Sequence, residues 1–443
     1  MTYRRSLLGQ GGLTLIELMV AMVLGLLVAA GIVTVFSSTS NSNKVQNQVA
    51  SLQEQGRFAI TRITSDLRMA NGEYCSNTGG VASNSGTNQI YMDGLRAPKV
   101  YAKELLAAMS DITTQWGGSY PSEPTAPYYM PAFLSMRGYE CGKADPCTPE
   151  MPATLLPAMG TVVGNRVKGA DVLTMRYVDS SRGWVIDGVN SLVNADAKGK
   201  LQSITVVPKS GEPALSDFKS GDLAMLADCS NAQIFAVDPP GSGTLVNVRA
   251  ADNFAGSDPI NQQPQSAPRL FDLNTDFLTV TYFLQVVDNG NGQKTGALMR
   301  RVNGTSEEIV RGVERLDFLY GVEDRDGSTR YLSASDVDSR VGGSFNCPVS
   351  VPNVDSSAPV INSFGCMWRA IKSIEVRVLM DGQTPLYTLS PDEMSYTYAS
   401  DKNTTPKTPD DSSRAVKPSE QGFVNQMLRR EFGALVSLRN YNP

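Results

Sequence analysis

Residues 13–36 form a run of 24 nearly uninterrupted apolar side chains, and no other stretch limits the fold so tightly. As an α-helix rising 1.5 Å per residue the run reaches about 36 Å, enough to cross a hydrocarbon core of about 30 Å with some tilt. Arg4 and Arg5 precede it, with no other charge among the first 16 residues. By the positive-inside rule the N-terminus stays in the cytoplasm and the body lies on the far side. A secretory signal has an apolar region of only about 7 to 15 residues, so the run reads as a membrane helix. One residue in it is out of place: Glu17, an ionisable group close to the start. A carboxylate at the bilayer centre costs about 2.5 to 3.5 kcal/mol on insertion scales, less near an interface, and such groups usually have a partner. A plain single-span anchor explains the length of the run and leaves Glu17 unexplained.

Beyond the run, residues 37–43 are polar but contain no Pro, so the helix can continue. Val45, Val49, Leu52, Gly56, Ala59, Ile63 and Ala70 recur at 3/4 spacing, with Phe58, Ile60 and Leu67 broadening the stripe. That periodicity predicts an amphipathic helix over residues 37–70 docked on a globular body, ending at a C-cap near Asn71-Gly72. Phe58 and Leu67 are expected in the helix–head core. Gly25 and Gly31 are either helix-packing contacts or ordinary membrane-helix glycines.

The remaining residues, 71–443, exceed the usual domain of roughly 100 to 200 residues, so one large domain or one with long insertions is expected. With 39 Gly and 25 Pro the body leans towards β structure. Segments 171–178, 203–207, 223–227, 233–237, 277–287 and 371–379 are rich in Val, Ile, Leu, Tyr or Phe and end at turn residues; they read as strands. Phe432, Ala434, Val436 and Leu438 alternate as one face of a final strand. The run Asp288-Asn289-Gly290-Asn291-Gly292 reads as a hairpin turn into 297–302. Eight prolines lie within 120–157, which reads as an irregular insertion or a small disulfide-pinned lobe. Residues 381–418 form a second expected loop. The fold class is α+β: one long N-terminal helix, half membrane and half amphipathic, packed on a large β-rich head.

Several function classes drop out. The formal charge is -5, and taking Arg4 and Arg5 from the 39 basic residues leaves 37 against 44 acidic, or -7. Nucleic acid is not an expected partner, because its binding draws on clustered Lys and Arg. Arg300-Arg301 and Arg429-Arg430 read as solvated faces. The absence of histidine removes Ser-His-Asp and Cys-His nucleophile arrangements and the HExxH zinc site. No Walker A loop, GxSxG or correctly placed GxGxxG occurs, so no catalytic residue, metal or cofactor is expected. Asp324-Arg325-Asp326-Gly327 looks like half a calcium loop, but Val322 and Ser333 would fill its first and twelfth ligand positions, and a hairpin turn is the preferred reading. Six cysteines face a compartment expected to be oxidising. Cys141 with Cys147 and Cys347 with Cys366 are the pairs close in sequence, leaving Cys75 with Cys229, out of 15 connectivities.

The residues Gly11-Gly12-Leu13-Thr14-Leu15-Ile16-Glu17-Leu18 resemble the processing motif of type IV pilins and type II secretion pseudopilins, with Leu13 in place of the usual Phe. The resemblance implies that residues 1–12 are a leader, that a prepilin peptidase cuts between Gly12 and Leu13, and that the new amino terminus of Leu13 is methylated. It also implies that the Glu17 carboxylate pairs with the terminal amine of a neighbouring subunit, which makes Glu17 a device for assembly and register. Further along, Leu52-Gln53-Glu54-Gln55-Gly56-Arg57-Phe58-Ala59, then Asp66-Leu67-Arg68-Met69-Ala70 and Cys75, resemble the LQENGRFA and DLRMAG...C signature of PilW-type minor pilins. Three later pieces are similar to segments of that family in the same order: Gly221-Asp222 through Asp228-Cys229-Ser230 to Ile234-Phe235, Arg311-Gly312-Val313-Glu314 through Tyr320-Gly321-Val322, and Arg429-Arg430-Glu431-Phe432 through Leu438-Arg439-Asn440.

What the resemblance implies is a minor pilin that waits in the bacterial inner membrane, N-terminus cytoplasmic and head periplasmic. From there it joins other minor pilins to initiate pilus assembly, at or near the tip, with incorporation into the surface pilus as the further implication. Its implied partners are other minor pilins, the major pilin, a PilY-type tip protein and the prepilin peptidase. The alternatives are a J-type pseudopilin of a type II secretion system and a pilus-tip adhesin whose insertions form a binding site.

Overall fold

The computed structural model describes residues 14–443 except 71, 73–81, 86–88, 93–97, 110, 118–119, 121, 145, 153–154, 229–231, 239, 241–242, 258–267, 291, 324–327, 340–364, 366, 369–370 and 439–443; residues 82–85, 89–92 and 323 are described by their backbone alone. A single helix, α1, runs from Leu15 to Leu67 and, at 1.5 Å per residue, is about 80 Å long. No residue interrupts it between the apolar and the amphipathic half, as the lack of Pro predicts. The helix ends at C-cap Arg68, followed by turns over residues 68–70, a few residues short of the expected C-cap near Asn71-Gly72.

The head is β-rich. Among the described residues a four-stranded antiparallel sheet has the order Thr329–Leu332, Val313–Glu323, Ile371–Asp381, Arg429–Ser437. The distal half of α1 lies on Ile371–Asp381 and Arg429–Ser437 and reaches Thr305–Arg311. That last strand is the edge of a seven-stranded sheet continuing through Gln293–Val302 and Phe277–Gly290 to Val172–Val178 and Met136–Tyr139. The chain passes from one sheet to the other through Gly312, at φ +80°, where a β-carbon would lie 2.9 Å from the Asp381 carbonyl oxygen. Only glycine takes that conformation without strain. One continuous core joins the helix to both sheets, with Leu52, Ala59, Ile63 and Leu67 packed among residues such as Leu284, Leu316, Val376 and Val436.

A third, nine-stranded sheet joins that core on one face, through Met225, Ile234 and Phe271, and has a second core on the other. Leu201–Thr205, Leu245–Val248, Ala232–Asp238, Leu223–Ala227 and Arg269–Asp272 form its centre. Behind them Ile186, Ile204, Val206, Phe235 and Leu270 close around Trp184, whose ring stacks on Phe218 at 5.0 Å. The Trp184 indole N–H donates to the Pro213 carbonyl at 2.9 Å, so the buried ring leaves no polar atom bare.

The proline-rich segment is less irregular than its composition suggests. Met136–Tyr139 pairs with Val172–Val178, and Phe133, Leu134 and Tyr139 are buried. Buried Arg176 ties the segment in, donating to the Leu134 and Asp111 carbonyls at 2.6 and 3.1 Å; burial lowers its pKa to about 10. Cys141 and Cys147 form a disulfide, with the Arg166 guanidinium 3.4 and 3.3 Å from the two sulfurs. The expected pairs Cys347 with Cys366 and Cys75 with Cys229 lie outside the described residues. Asp324 to Gly327 also lie outside, although the strands flanking them, Val313–Glu323 and Thr329–Leu332, pair as an antiparallel hairpin.

Candidate assembly surface

Gly12 and Leu13 precede the described residues, and α1 opens directly after them on Thr14. Thr14 donates its backbone N–H (3.0 Å) and its hydroxyl (2.9 Å) to Glu17 Oε2, while the Glu17 N–H donates to Thr14 Oγ1 at 3.3 Å. This is a capping box, readable in the sequence as Thr-x-x-Glu. Glu17 therefore has a partner inside its own chain before any neighbour arrives. The implied pairing with a neighbouring subunit's amine would have to compete with this local one.

From Leu15 to Phe36 the large apolar side chains are 50 to 77% exposed, among them Ile16 (72%), Leu26 (70%) and Phe36 (75%). A β-carbon on Gly25 or Gly31 would meet nothing within 4 Å. This apolar, uncovered half of α1 is long enough for a membrane span. Its single-sided neighbour, residues 52–67, instead buries Leu52, Gly56, Ala59, Ile63, Asp66 and Leu67. Gly56 sits so close to the final strand that a β-carbon there would lie 2.5 Å from the Phe432 ring. Phe58 departs from expectation: it is 54% exposed and points away from the head, because Gly56, Ala59 and Ile63 define the docked face and residue 58 lies between them on the other side. Leu67 is buried as expected.

The least expected element is a polar latch at the end of α1. Arg300 holds Asp66 with Nε at 2.6 Å from Oδ2 and Nη2 at 3.3 Å from Oδ1. Tyr282 and Tyr177 donate their hydroxyls to the same carboxylate at 2.7 and 3.3 Å. Burial, reinforced by the Asp66 charge, pushes the Tyr177 hydroxyl up to about 12 and Tyr282 higher still. Arg300 is itself held protonated: burial opposes its charge, but Asp66 and Glu307 outweigh that.

Arg300-Arg301 and Arg429-Arg430 were read as solvated, and for three of the four residues that is incorrect. Arg301 Nε lies 2.9 Å from Asp111 Oδ2, a carboxylate with no exposed surface. Arg429 makes a bidentate pair with buried Glu314 at 2.7 and 2.9 Å, and donates to the Val424 and Asn425 carbonyls. Arg430 alone is exposed. The reading failed because composition does not say which carboxylates the fold brings opposite each cation. Glu314 and Arg429 are 115 positions apart. Burial pushes Glu314 up to about 7 against the pull of Arg429, with Asp381 adding to the rise.

Two family models match the chain. The Type IV Pilus-assembly protein W model matches residues 281–440, and the Prokaryotic N-terminal methylation motif matches residues 7–33. The first covers most of the pairing of Phe277–Gly290 with Gln293–Val302 and the whole four-stranded sheet that carries α1; the second covers the exposed half of α1 as far as Val33. No curated protein and no solved structure matches.

Proposed function

We infer that this chain, a PilW-type, prepilin-like minor pilin of the type IV pilus system, acts by packing rather than by chemistry and helps to initiate pilus assembly. The observation that carries this reading is the division of α1. One half is docked and latched on the head, while the other presents apolar side chains 50 to 77% exposed, which only lipid or other apolar helices can cover. In the inner membrane lipid serves; on assembly, the corresponding helices of other minor pilins and the major pilin take its place. Prepilin peptidase cuts between Gly12 and Leu13, Leu13 is N-methylated, and the amine of a neighbouring subunit competes with Thr14 for the Glu17 carboxylate. A charged partner forms the stronger hydrogen bond, so the exchange favours the assembled register. The head, periplasmic and β-rich, makes lateral contacts and is the part that would meet a PilY-type tip protein.

The match over residues 281–440 favours the pilus over a J-type pseudopilus of type II secretion. Deleting the gene is expected to lower surface piliation; normal piliation with loss of exoprotein secretion would move the protein to the pseudopilus. Replacing Glu17 by Val should leave leader removal largely intact and reduce incorporation, and an undiminished pilus number would refute the role given to Glu17.

A further inference from the structure

A cavity of 160 Å³ opens on the third sheet, and no residue of α1 lines it. Its floor is aromatic and buried: Tyr101 is 4% and Phe235 2% exposed, with half-buried Phe254 beside them. The walls are held firmly. The Phe254 N–H donates to the Tyr101 carbonyl at 2.7 Å, and the Leu201 N–H donates to Ser257 Oγ at 2.6 Å. Gly256, at φ +118°, lays the backbone against the Tyr101 ring, where a β-carbon would come within 3.3 Å of Cε1. The Asn253 amide is fully spent on the backbone of Ala236 and Arg249. Lys200 and Gln202 are different: they line the cavity, and neither side chain bonds to any described residue. Among the described residues that line the cavity there is no Asp or Glu, and Lys200 is the one formal charge, in a protein whose net charge is negative.

We propose that this cavity binds a single acidic sugar unit of a glycan. A pyranose has an apolar C–H face and a polar rim, which suits aromatic rings below and uncommitted polar groups at the edge, the usual balance of a small-molecule site. The sugar ring rests on the half-buried Phe254 ring, Gln202 takes ring hydroxyls as donor and acceptor, and Lys200 pairs with the carboxylate. The volume suits one ring-sized group, and the phosphates of a nucleotide would call for more than one cation. The site lies in the sheet that the matched family model does not cover, and it is independent of the helix that assembles the subunit.

The test is calorimetric titration of the full-length protein in detergent with methyl glucuronoside and, separately, with methyl glucoside. Wild type should bind the glucuronoside more tightly than the glucoside. Lys200→Gln should weaken the glucuronoside by about tenfold or more, the worth of a charge-assisted hydrogen bond, and leave the glucoside unchanged. Gln202→Ala should weaken both sugars. Both side chains lie at the rim, so unaltered thermal unfolding of the two variants is expected, and normal piliation by the Lys200→Gln strain would separate the site from assembly. Absence of binding to either sugar, equal affinity for both, or a glucuronoside affinity that ignores both substitutions would overturn the assignment.

Discussion

At the scale of single residues, buried charges do most to define this head. Asp66 reaches into the seven-stranded sheet and meets Arg300, Tyr177 and Tyr282, so the last turn of α1 is held by a carboxylate rather than by apolar packing alone. Replacing Asp66 by Asn keeps the shape and removes the charge, leaving Arg300 to its exposed partner Glu307. Breaking a buried pair from one side typically costs about 3 kcal/mol, and urea unfolding should register a loss of that order. A loss under about 1 kcal/mol would put the pair in the class of surface ion pairs and dismiss the latch. Glu314 gives a pH signature. Its folded pKa of about 7 lies above the ordinary 4.5, so the folded state binds that proton more tightly. Its contribution is complete below about pH 4.5 and is lost as the pH rises through about 7. Asp272, raised by burial to about 6, acts in the same direction. The melting temperature should therefore fall across this window, and Glu314→Gln should flatten part of the decline; equal slopes in the two proteins would remove Glu314 from the account.

At the scale of elements, α1 is docked by close approach. Gly56 lets the helix settle on the Phe432 ring, and Ala there would gain about 1 kcal/mol of helix propensity while incurring about 1 to 3 kcal/mol of overpacking. Gly56→Ala should destabilise the native head and become neutral or stabilising in a Phe432→Leu background, as double-mutant unfolding would reveal; the same effect in both backgrounds would mean that the ring is not the obstacle. Helix and strand positions here were legible in the sequence to within a few residues. The expected 223–227 strand is observed as Leu223–Ala227, and 277–287 as Phe277–Gly290. Period-2 and period-3.6 patterns record which face is buried, and they survive without any knowledge of the partner face. Phe58 shows the limit: a wide apolar stripe does not say where the docked face ends, and the contact with Phe432 turned residue 58 outward.

At the scale of the whole molecule, the matched C-terminal segment and the third sheet share one core. The family match begins at residue 281, while the nine-stranded sheet with its own Trp184 core is built from residues before it. Composition did not single out that sheet, because its strands have the same turn-bounded character as the rest. The assembled protein should begin at methylated Leu13. Intact-mass analysis of membrane-extracted protein from cells with active peptidase would test this, and a chain still starting at Met1 would refute the processing.

The amino-acid order alone determined the membrane-length helix, its continuation into an amphipathic half, the β character of the head and the Cys141–Cys147 proximity. Each of these rests on local periodicity, run length or short spacing, which the chain carries in one dimension. Only the tertiary structure decided that Arg300 and Arg429 are buried, that Asp66 latches the helix and that a second core exists. The buried pairs depend on residues more than a hundred positions apart meeting in a low-dielectric interior, where an unpaired charge is costly, and the second core depends on a strand order that local periodicity does not carry.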